Sequence, residues 1–360
     1  MGGRMREICS GVNVDLGTAA AFREQWSRET GTLSNSGPPM PLLLKTSQAT
    51  GDAVAMTAAI YSLHKAYPRR YITAVESLWP KVFQYNPDVT DHIGTLVSRW
   101  NDLQMHYPAI HQSNQRGIHF MQGWCEFLGS ALGIQVPLLT NRPRLYFPDP
   151  TPPIEDFWLI CSGGKEDFTN KIWSHENYQR VVSILGKRVR FIQVGDDIKR
   201  HKLLNGVKFM VGRTSLRELF GLARRARGIL CGVSLLMHVA AALEKPAVVI
   251  AGGREPVQWN AYPLQHYLHT VGVLNCSSPQ GEIGGACWRS RVVPLGDNIT
   301  LDKDTCEYPI EKTPKCMTLI SPEYVAETIL RISGEATYGI PVQPAQEETE
   351  PEHCITVRDV

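Results

Sequence analysis

"RGILCGVSLLMHVAAALEKPAVVIAGG", Arg227 to Gly253, decides the fold. Its first residues form a short apolar run, and "AVVIAGG" at its end is a second run of strand length. Between them Ser234 to Leu243 reads as a helix. A strand, a helix and a strand, with both strands apolar throughout, point to a parallel β-α-β unit in an open sheet. Open parallel sheets bind ligands outside the carboxyl ends of their strands. The helix that starts there offers free amides, which attract phosphate. Ser234 and His238 lie one turn apart on one face of that helix and would add a hydroxyl and an imidazole to a diphosphate site. The simpler alternative is a capping serine and a core histidine.

The same grammar runs in both directions. Upstream, "FWLICSGGKED", a helix from about Ser174 and "VRFIQVGDD" lead to "KFMVGRTSLRELFGLARRA". Further upstream, "LLLKTSQATGDAVAMTAAIYSLHKAYP" gives a strand, a small polar loop with Gly51, and a helix. "RRYITAVES" supplies another strand, "LWPKVFQYNPDV" a short helix and turn, and "HIGTLVS" a further strand. Residues 109 to 134 read as helical. The expected organisation is an N-terminal extension over 1–38, a first α/β domain over 39–150 and a second over 151–333. A Pro- and Glu-rich mobile tail covers 334–360. "SPEYVAETILRISG" reads as the closing helix, with a Ser-Pro start.

Composition bounds the function. At 360 residues, with 43% apolar and 20% charged residues, the chain suits two soluble cores. The formal net charge of +2 supplies no field for nucleic acid or an anionic membrane. No window approaches the length of a spanning helix, so membrane association is expected to be peripheral at most, and the N-terminus lacks a signal-peptide pattern. A cytoplasmic location is the expectation.

Asp52 follows Gly51 at the carboxyl end of the first strand. It reads either as a residue favouring a helix start or as a general base facing an interdomain cleft. Arg254 follows the last strand directly, where a guanidinium can pair with phosphate. Thr214, Ser215 and Glu218 spell a capping box, Thr-Ser-x-x-Glu.

Of the nine cysteines, Cys125, Cys161 and Cys231 sit in apolar contexts and read as small hydrophobes. Cys276, Cys287, Cys306 and Cys316 fall in a turn-rich segment, 275–317, spaced C-x10-C-x18-C-x9-C. In a reducing compartment, four thiols in a stretch with little core of its own point to a structural Zn or Fe site, with unbound reduced thiols as the alternative.

Five stretches in order carry a family resemblance: the Leu42–Pro68 segment, "KIWSHENYQRVVSIL", "TSLRELFGLARRARGILCG", "MHVAAALEKPAVVIAGG" and "REPVQWNAYP". Over about residues 41–265 the chain resembles glycosyltransferase family 9, the ADP-heptose lipopolysaccharide heptosyltransferases. The resemblance implies a GT-B fold of two facing Rossmann-like domains, with the donor held by the second and the acceptor by the first. It implies Asp52 as the base, Lys171 at the donor phosphates, and Ser234 and His238 within a donor motif D-[ST]-G-x-x-H. Thr214, Ser215 and Glu218 would lie near the nucleotide. Val233 and Leu235 stand where that motif has Asp and Gly, so the usual carboxylate contact to the donor is missing. Related autotransporter heptosyltransferases, which this chain is similar to in its late cysteines, hold a structural iron with four cysteines at other spacings.

The implied activity is inverting transfer of a heptose or other hexose-like sugar from a nucleotide diphosphate donor to a hydroxyl acceptor. Fixed positive charge would take the part that a divalent metal plays in other transferases. The acceptor, whether glycan, lipid-linked sugar or another hydroxyl, is not legible. A nucleotide-sugar epimerase of the same fold and a non-catalytic nucleotide-sugar-binding protein are the alternatives.

Overall fold

The computed structural model describes residues 38–91, 100–106, 116–277, 285–293 and 305–335. The expected strand "HIGTLVS" and the expected extension and tail lie outside these residues.

The first sheet has three parallel strands in the order β2-β1-β3. β1 (Met40–Thr46) is the central strand and β2 is Tyr71–Ser77. β3 is Asn101–Gln104, a polar edge strand with Leu103 as its one apolar residue, so it lacks the alternation that marks a strand in sequence. α1 (Thr50–Ala66) follows β1 and is buried without a break from Ala53 to Ile60. α2 (Phe120–Leu132) packs against it and ends at Gly133, whose φ of 64° is the left-handed conformation that glycine adopts without strain.

The second sheet has six strands, all parallel: β4 (Trp158–Cys161), β5 (Phe191–Gln193), β6 (Lys208–Phe209), β7 (Gly228–Gly232), β8 (Ala247–Gly252) and β9 (Gln265–His269). Their order, β6-β5-β4-β7-β8-β9, is that of the doubly wound dinucleotide-binding sheet. The switch point lies between β4 and β7, where successive connections leave for opposite sides. Both strands are buried at every residue, as a sheet covered on both faces requires. Gly228 is needed for packing, because a Cβ there would lie 2.6 Å from the Trp158 ring on the neighbouring strand.

The helices of this half are α3 (His175–Leu185), α4 (Leu216–Arg225), α5 (Leu235–Ala242) and the short α6 (Val257–Asn260). The Cys-rich stretch adds a two-strand ribbon, β10 (Pro309–Ile310) and β11 (Thr313–Pro314), and α7 (Lys315–Thr318). α8 (Pro322–Ile332) closes the order. The Ser321 hydroxyl caps it by accepting from the Tyr324 amide at 3.2 Å, as the Ser-Pro start leads one to expect.

α1 packs directly on α5, so apolar burial runs without a break from one sheet to the other. Leu44, Met56 and Ile60 belong to the same buried cluster as Ile229, Met237 and Val239. Each fully buried side chain of this kind contributes ~1.5–3 kcal/mol of transfer free energy. A second cluster, with Trp158, Ile160, Trp173 and Ile329, fills the other face of the second sheet under α3 and α8. Cys125, Cys161 and Cys231 are buried free thiols, as expected. Burial pushes Cys125 up to about 12 and Cys161 up to about 11. Among the described residues no helix is long and apolar enough to cross a membrane.

Candidate active site

Two strand-to-helix turns meet. In the first sheet, β1 turns through Ser47–Ala49 into α1. Asp52 sits in the first turn of that helix, where its Oδ2 accepts the Ala49 amide at 3.1 Å. In the second sheet, β7 turns through Val233 and Ser234 into α5. The two helix N-termini abut: a Cβ added to Gly51 would lie 3.0 Å from His238 Cδ2 and 3.4 Å from Nε2. Glycine at 51 gives room for the close approach of an imidazole from the other sheet. The loop after β4 passes over the same place, and a Cβ on Gly232 would be 3.3 Å from the Lys171 carbonyl. Lys171 thus stands at the switch point, within electrostatic reach of Asp52.

The cations are tied to a carboxylate that the sequence reading did not single out. Glu255 is 1% exposed. Its Oε1 accepts Lys171 Nζ at 2.6 Å and also contacts the Arg254 guanidinium, while Oε2 accepts Asn260 Nδ2 at 3.0 Å. Burial pushes the Glu255 carboxyl up, but Lys171 and Arg254 beside it outweigh that and hold it below the usual carboxylate range. Burial lowers Lys171, and Glu255 pulls it partly back. Arg254 is fixed further by donating Nε to the Arg289 carbonyl at 2.7 Å and by lying over the Phe168 ring. The signal for Glu255 was present in "GGREP": a second charge directly after an apolar strand, at a carboxyl end.

His238 is buried on α5, and its Nδ1 lies 2.8 Å from the Tyr262 hydroxyl. Burial first, then the nearby Lys171, lowers its pKa to about 3, so the ring is neutral at physiological pH. Ser234 occupies the N-cap position of α5 without a side-chain cap bond, and the Cys231 thiol is its neighbour. Ser215 and Glu218 form the capping box read from sequence. Ser215 N donates to Glu218 Oε2 at 2.7 Å, and Glu218 N donates to Ser215 Oγ at 3.4 Å. These two side chains are spent on the start of α4, with Thr214 just before it. The structure therefore gathers Asp52, Lys171, Ser234, His238 and Arg254 at one seam and gives Ser215 and Glu218 a local structural task.

Cys276, Cys287, Cys306 and Cys316 all line one small cavity of ≈ 10 Å³, about one water's worth, together with Arg254 and Arg289. All four are free thiols. Amides of Arg289, Tyr308 and Gly253 hydrogen-bond the sulfurs of Cys287, Cys306 and Cys316. Burial pushes Cys276 up to about 11 and Cys287 up to about 12. The four cysteines of the turn-rich segment do come together. As they stand, however, no group of three or more His, Cys, Asp or Glu among the described residues forms an arrangement able to hold a metal ion. The segment is tied directly to the loop that carries Arg254. Cys287 N donates to Gly253 O at 3.1 Å and Trp288 N to Arg254 O at 3.3 Å.

Residues 147–282 match the sequence model of glycosyltransferase family 9 (heptosyltransferase). No curated protein matches the chain by sequence. Among solved structures, the iron-containing dodecameric glycosyltransferase TibC from enterotoxigenic E. coli H10407 is similar at 16% identity and a TM-score of 0.57. The match covers 82% of this chain and 77% of that one. TibC in complex with ADP-D-β-D-heptose is similar at 17% identity and a TM-score of 0.57, over the same shares. The family 9 glycosyl transferase from Veillonella parvula DSM 2008 is similar at 14% identity and a TM-score of 0.58, covering 84% of this chain and all of that one. What these likenesses share is the fold, the two-sheet GT-B arrangement.

Proposed function

We propose that this chain is a glycosyltransferase that moves a sugar from a nucleotide diphosphate donor to a hydroxyl acceptor, with inversion. One observation carries the reading: the helix start that bears Asp52 in one sheet abuts the His238 imidazole and the start of α5 in the other, with Lys171 within electrostatic reach of Asp52 and tied with Arg254 to one buried carboxylate, Glu255. Asp52 takes the proton of the acceptor hydroxyl as its oxygen attacks the anomeric carbon. The bond from that carbon to the phosphate oxygen breaks on the opposite side. The departing diphosphate keeps the electron pair, and Lys171, Arg254, His238 and the amides at the start of α5 stabilise its charge. The nucleotide-sugar donor is also what the TibC complex contains. A heptose or other hexose-like sugar fits the reading, and the loss of the motif carboxylate at Val233 leaves that choice to experiment. The acceptor is a glycan, a lipid-linked sugar or another hydroxyl compound. Near-neutral charge argues against nucleic acid, and a cytoplasmic site of action suits such a donor. The chain's one Asp-x-Asp triplet, Asp302 to Asp304, falls outside the described residues.

Incubating the protein with a panel of nucleotide sugars and hydroxyl acceptors, read by mass spectrometry, tests the reaction. Transfer to an added acceptor supports it. Isomerised donor alone would replace it with an epimerase, and retention of donor without turnover would replace it with a binding protein, the reading Val233 favours. Lys171→Ala and His238→Ala are each expected to weaken nucleoside diphosphate binding by roughly tenfold, the worth of one charge-assisted or buried hydrogen bond. Unchanged affinity in both, by calorimetry, would move the phosphate site elsewhere.

The four late cysteines are the residues that would hold a structural Zn or Fe. Their thiol chemistry and shared cavity suit it, and closing the cavity onto an ion would require the sulfurs to draw together and lose their protons. No chemical step depends on it. Elemental analysis of untagged protein should return about one metal per chain, as a closed four-thiolate site requires. Cys306→Ser should lose the metal and, through the bond between Arg289 and Arg254, weaken diphosphate binding as well. A metal-free, fully active preparation would remove the proposal.

A further inference from the structure

Tyr262 is the penultimate residue of the "REPVQWNAYP" stretch, and the reaction above gives it no part. We propose that Tyr262 is the positioning residue that fixes the His238 imidazole with its proton on Nε2, so that His238 presents one N–H to the donor diphosphate. The inference rests on the donor reading given above.

A neutral imidazole has one donor nitrogen and one acceptor nitrogen, and the partner of one decides the role of the other. The Tyr262 hydroxyl, 2.8 Å from Nδ1, is the partner here. Tyr262 is 4% exposed, so its O–H cannot turn to solvent, and leaving it unmade would cost the desolvation of a buried hydroxyl. Donation from that hydroxyl to Nδ1 leaves the proton on Nε2. The Cδ2–Nε2 edge of the ring faces Gly51 across the seam between the two sheets, beside the first turn of α5. A single N–H then lies on the edge of the ring that faces Gly51, at the seam between the two helix starts.

The tyrosine is itself held. His119, the N-cap of α2, accepts the Met121 amide on Nδ1 at 3.2 Å, so its own proton is on Nε2 and goes to the Ala261 carbonyl at 3.2 Å. The His119 ring meets Tyr262 edge-on at 5.0 Å. The backbone just before Tyr262 and one edge of its ring are therefore fixed by a helix of the N-terminal half. The rival arrangement has Nδ1–H donating to the tyrosine oxygen and the hydroxyl turned toward Asp52, which lies within electrostatic reach of Tyr262.

Nitrogen-15 spectra of histidine-labelled full-length protein decide the direction. In the unmutated protein the His238 Nδ1 signal should lie at the unprotonated position and Nε2 should carry the proton. Tyr262→Phe keeps the ring and removes only the hydroxyl; it should mix the two tautomers and weaken ADP or UDP binding by roughly tenfold. In a His238→Ala background the same change should cost less than about twofold, because the two residues act as one unit. A proton on Nδ1 in the unmutated protein overturns the proposal. So does an equal effect of Tyr262→Phe in both backgrounds, which would show the tyrosine acting through something other than His238. If the unmutated protein binds neither ADP nor UDP, the donor reading fails, while the tautomer measurement still tests Tyr262 by itself.

Discussion

Asp52→Asn is expected to lower the rate of sugar transfer by ~10²–10⁴ while leaving nucleoside diphosphate affinity within about twofold, the signature of a group needed in the transition state rather than for binding. Asparagine is the informative choice because Asp52 has two tasks in the structure. Its carboxylate accepts the Ala49 amide in the first turn of α1, and it faces Lys171 and Tyr262 across the seam. An asparagine carbonyl keeps the first task, since Asn and Asp are nearly equivalent as acceptors at helix starts. It cannot accept a proton from a sugar hydroxyl. Asp52→Ala removes both and should add ~0.5–2 kcal/mol of lost stability to the same rate defect. Equal rates for the two variants with different melting temperatures would separate the tasks. Transfer by Asp52→Asn within about tenfold of the unmutated rate would reduce Asp52 to a helix-start residue and put the base elsewhere.

The parallel sheet of the second half was legible because β4, β7 and β8 are buried on both faces and read as unbroken apolar runs. β3 was not: Asn101–Gln104 sits on an edge, and an edge strand needs only one apolar contact to stay paired. In the site, Gly51, Asp52, Ser234 and His238 could be read because turns at strand ends have a residue code. Lys171 and Arg254 needed either the family resemblance or their place after a strand. Glu255 had only a faint local mark, the second charge after the strand in "GGREP", and Tyr262 had none, because their importance lies in contacts between segments distant in sequence, Lys171 with Glu255 and His238 with Tyr262. The four cysteines show the reverse case. Their spacing is irregular, yet the chain brings all of them to one cavity.

The second large effect is expected at Glu255. In the absence of donor, Glu255→Gln leaves Lys171 and Arg254 facing each other without the carboxylate between them. Breaking a buried ion pair by removing one partner costs ~3–5 kcal/mol. Lys171 keeps 26% of its side chain open to water and Arg254 keeps the Arg289 carbonyl, so the lower end applies. For an α/β unit of this size that is a fall of roughly 6–12 °C in melting temperature. The sign with pH follows from the shifts. Glu255 titrates below the usual carboxylate range when folded, so its contribution is present above that range and is lost as pH falls through the lowered value. Lys171, lowered chiefly by burial, works the other way: burying its ammonium costs stability at neutral pH, and the cost fades only as alkaline pH discharges it. The difference between Glu255→Gln and the unmutated protein should therefore shrink in acid. A nucleoside diphosphate brings its own negative charge to the same two cations. Saturating ADP should accordingly raise the melting temperature of Glu255→Gln by more than it raises that of the unmutated protein, because the ligand replaces the missing counter-charge in one and competes with Glu255 in the other. Equal ADP-induced shifts in the two proteins would mean that the diphosphate does not meet Lys171 and Arg254, and the Lys171–Glu255–Arg254 group would then be a structural ion cluster beside the donor site rather than part of it.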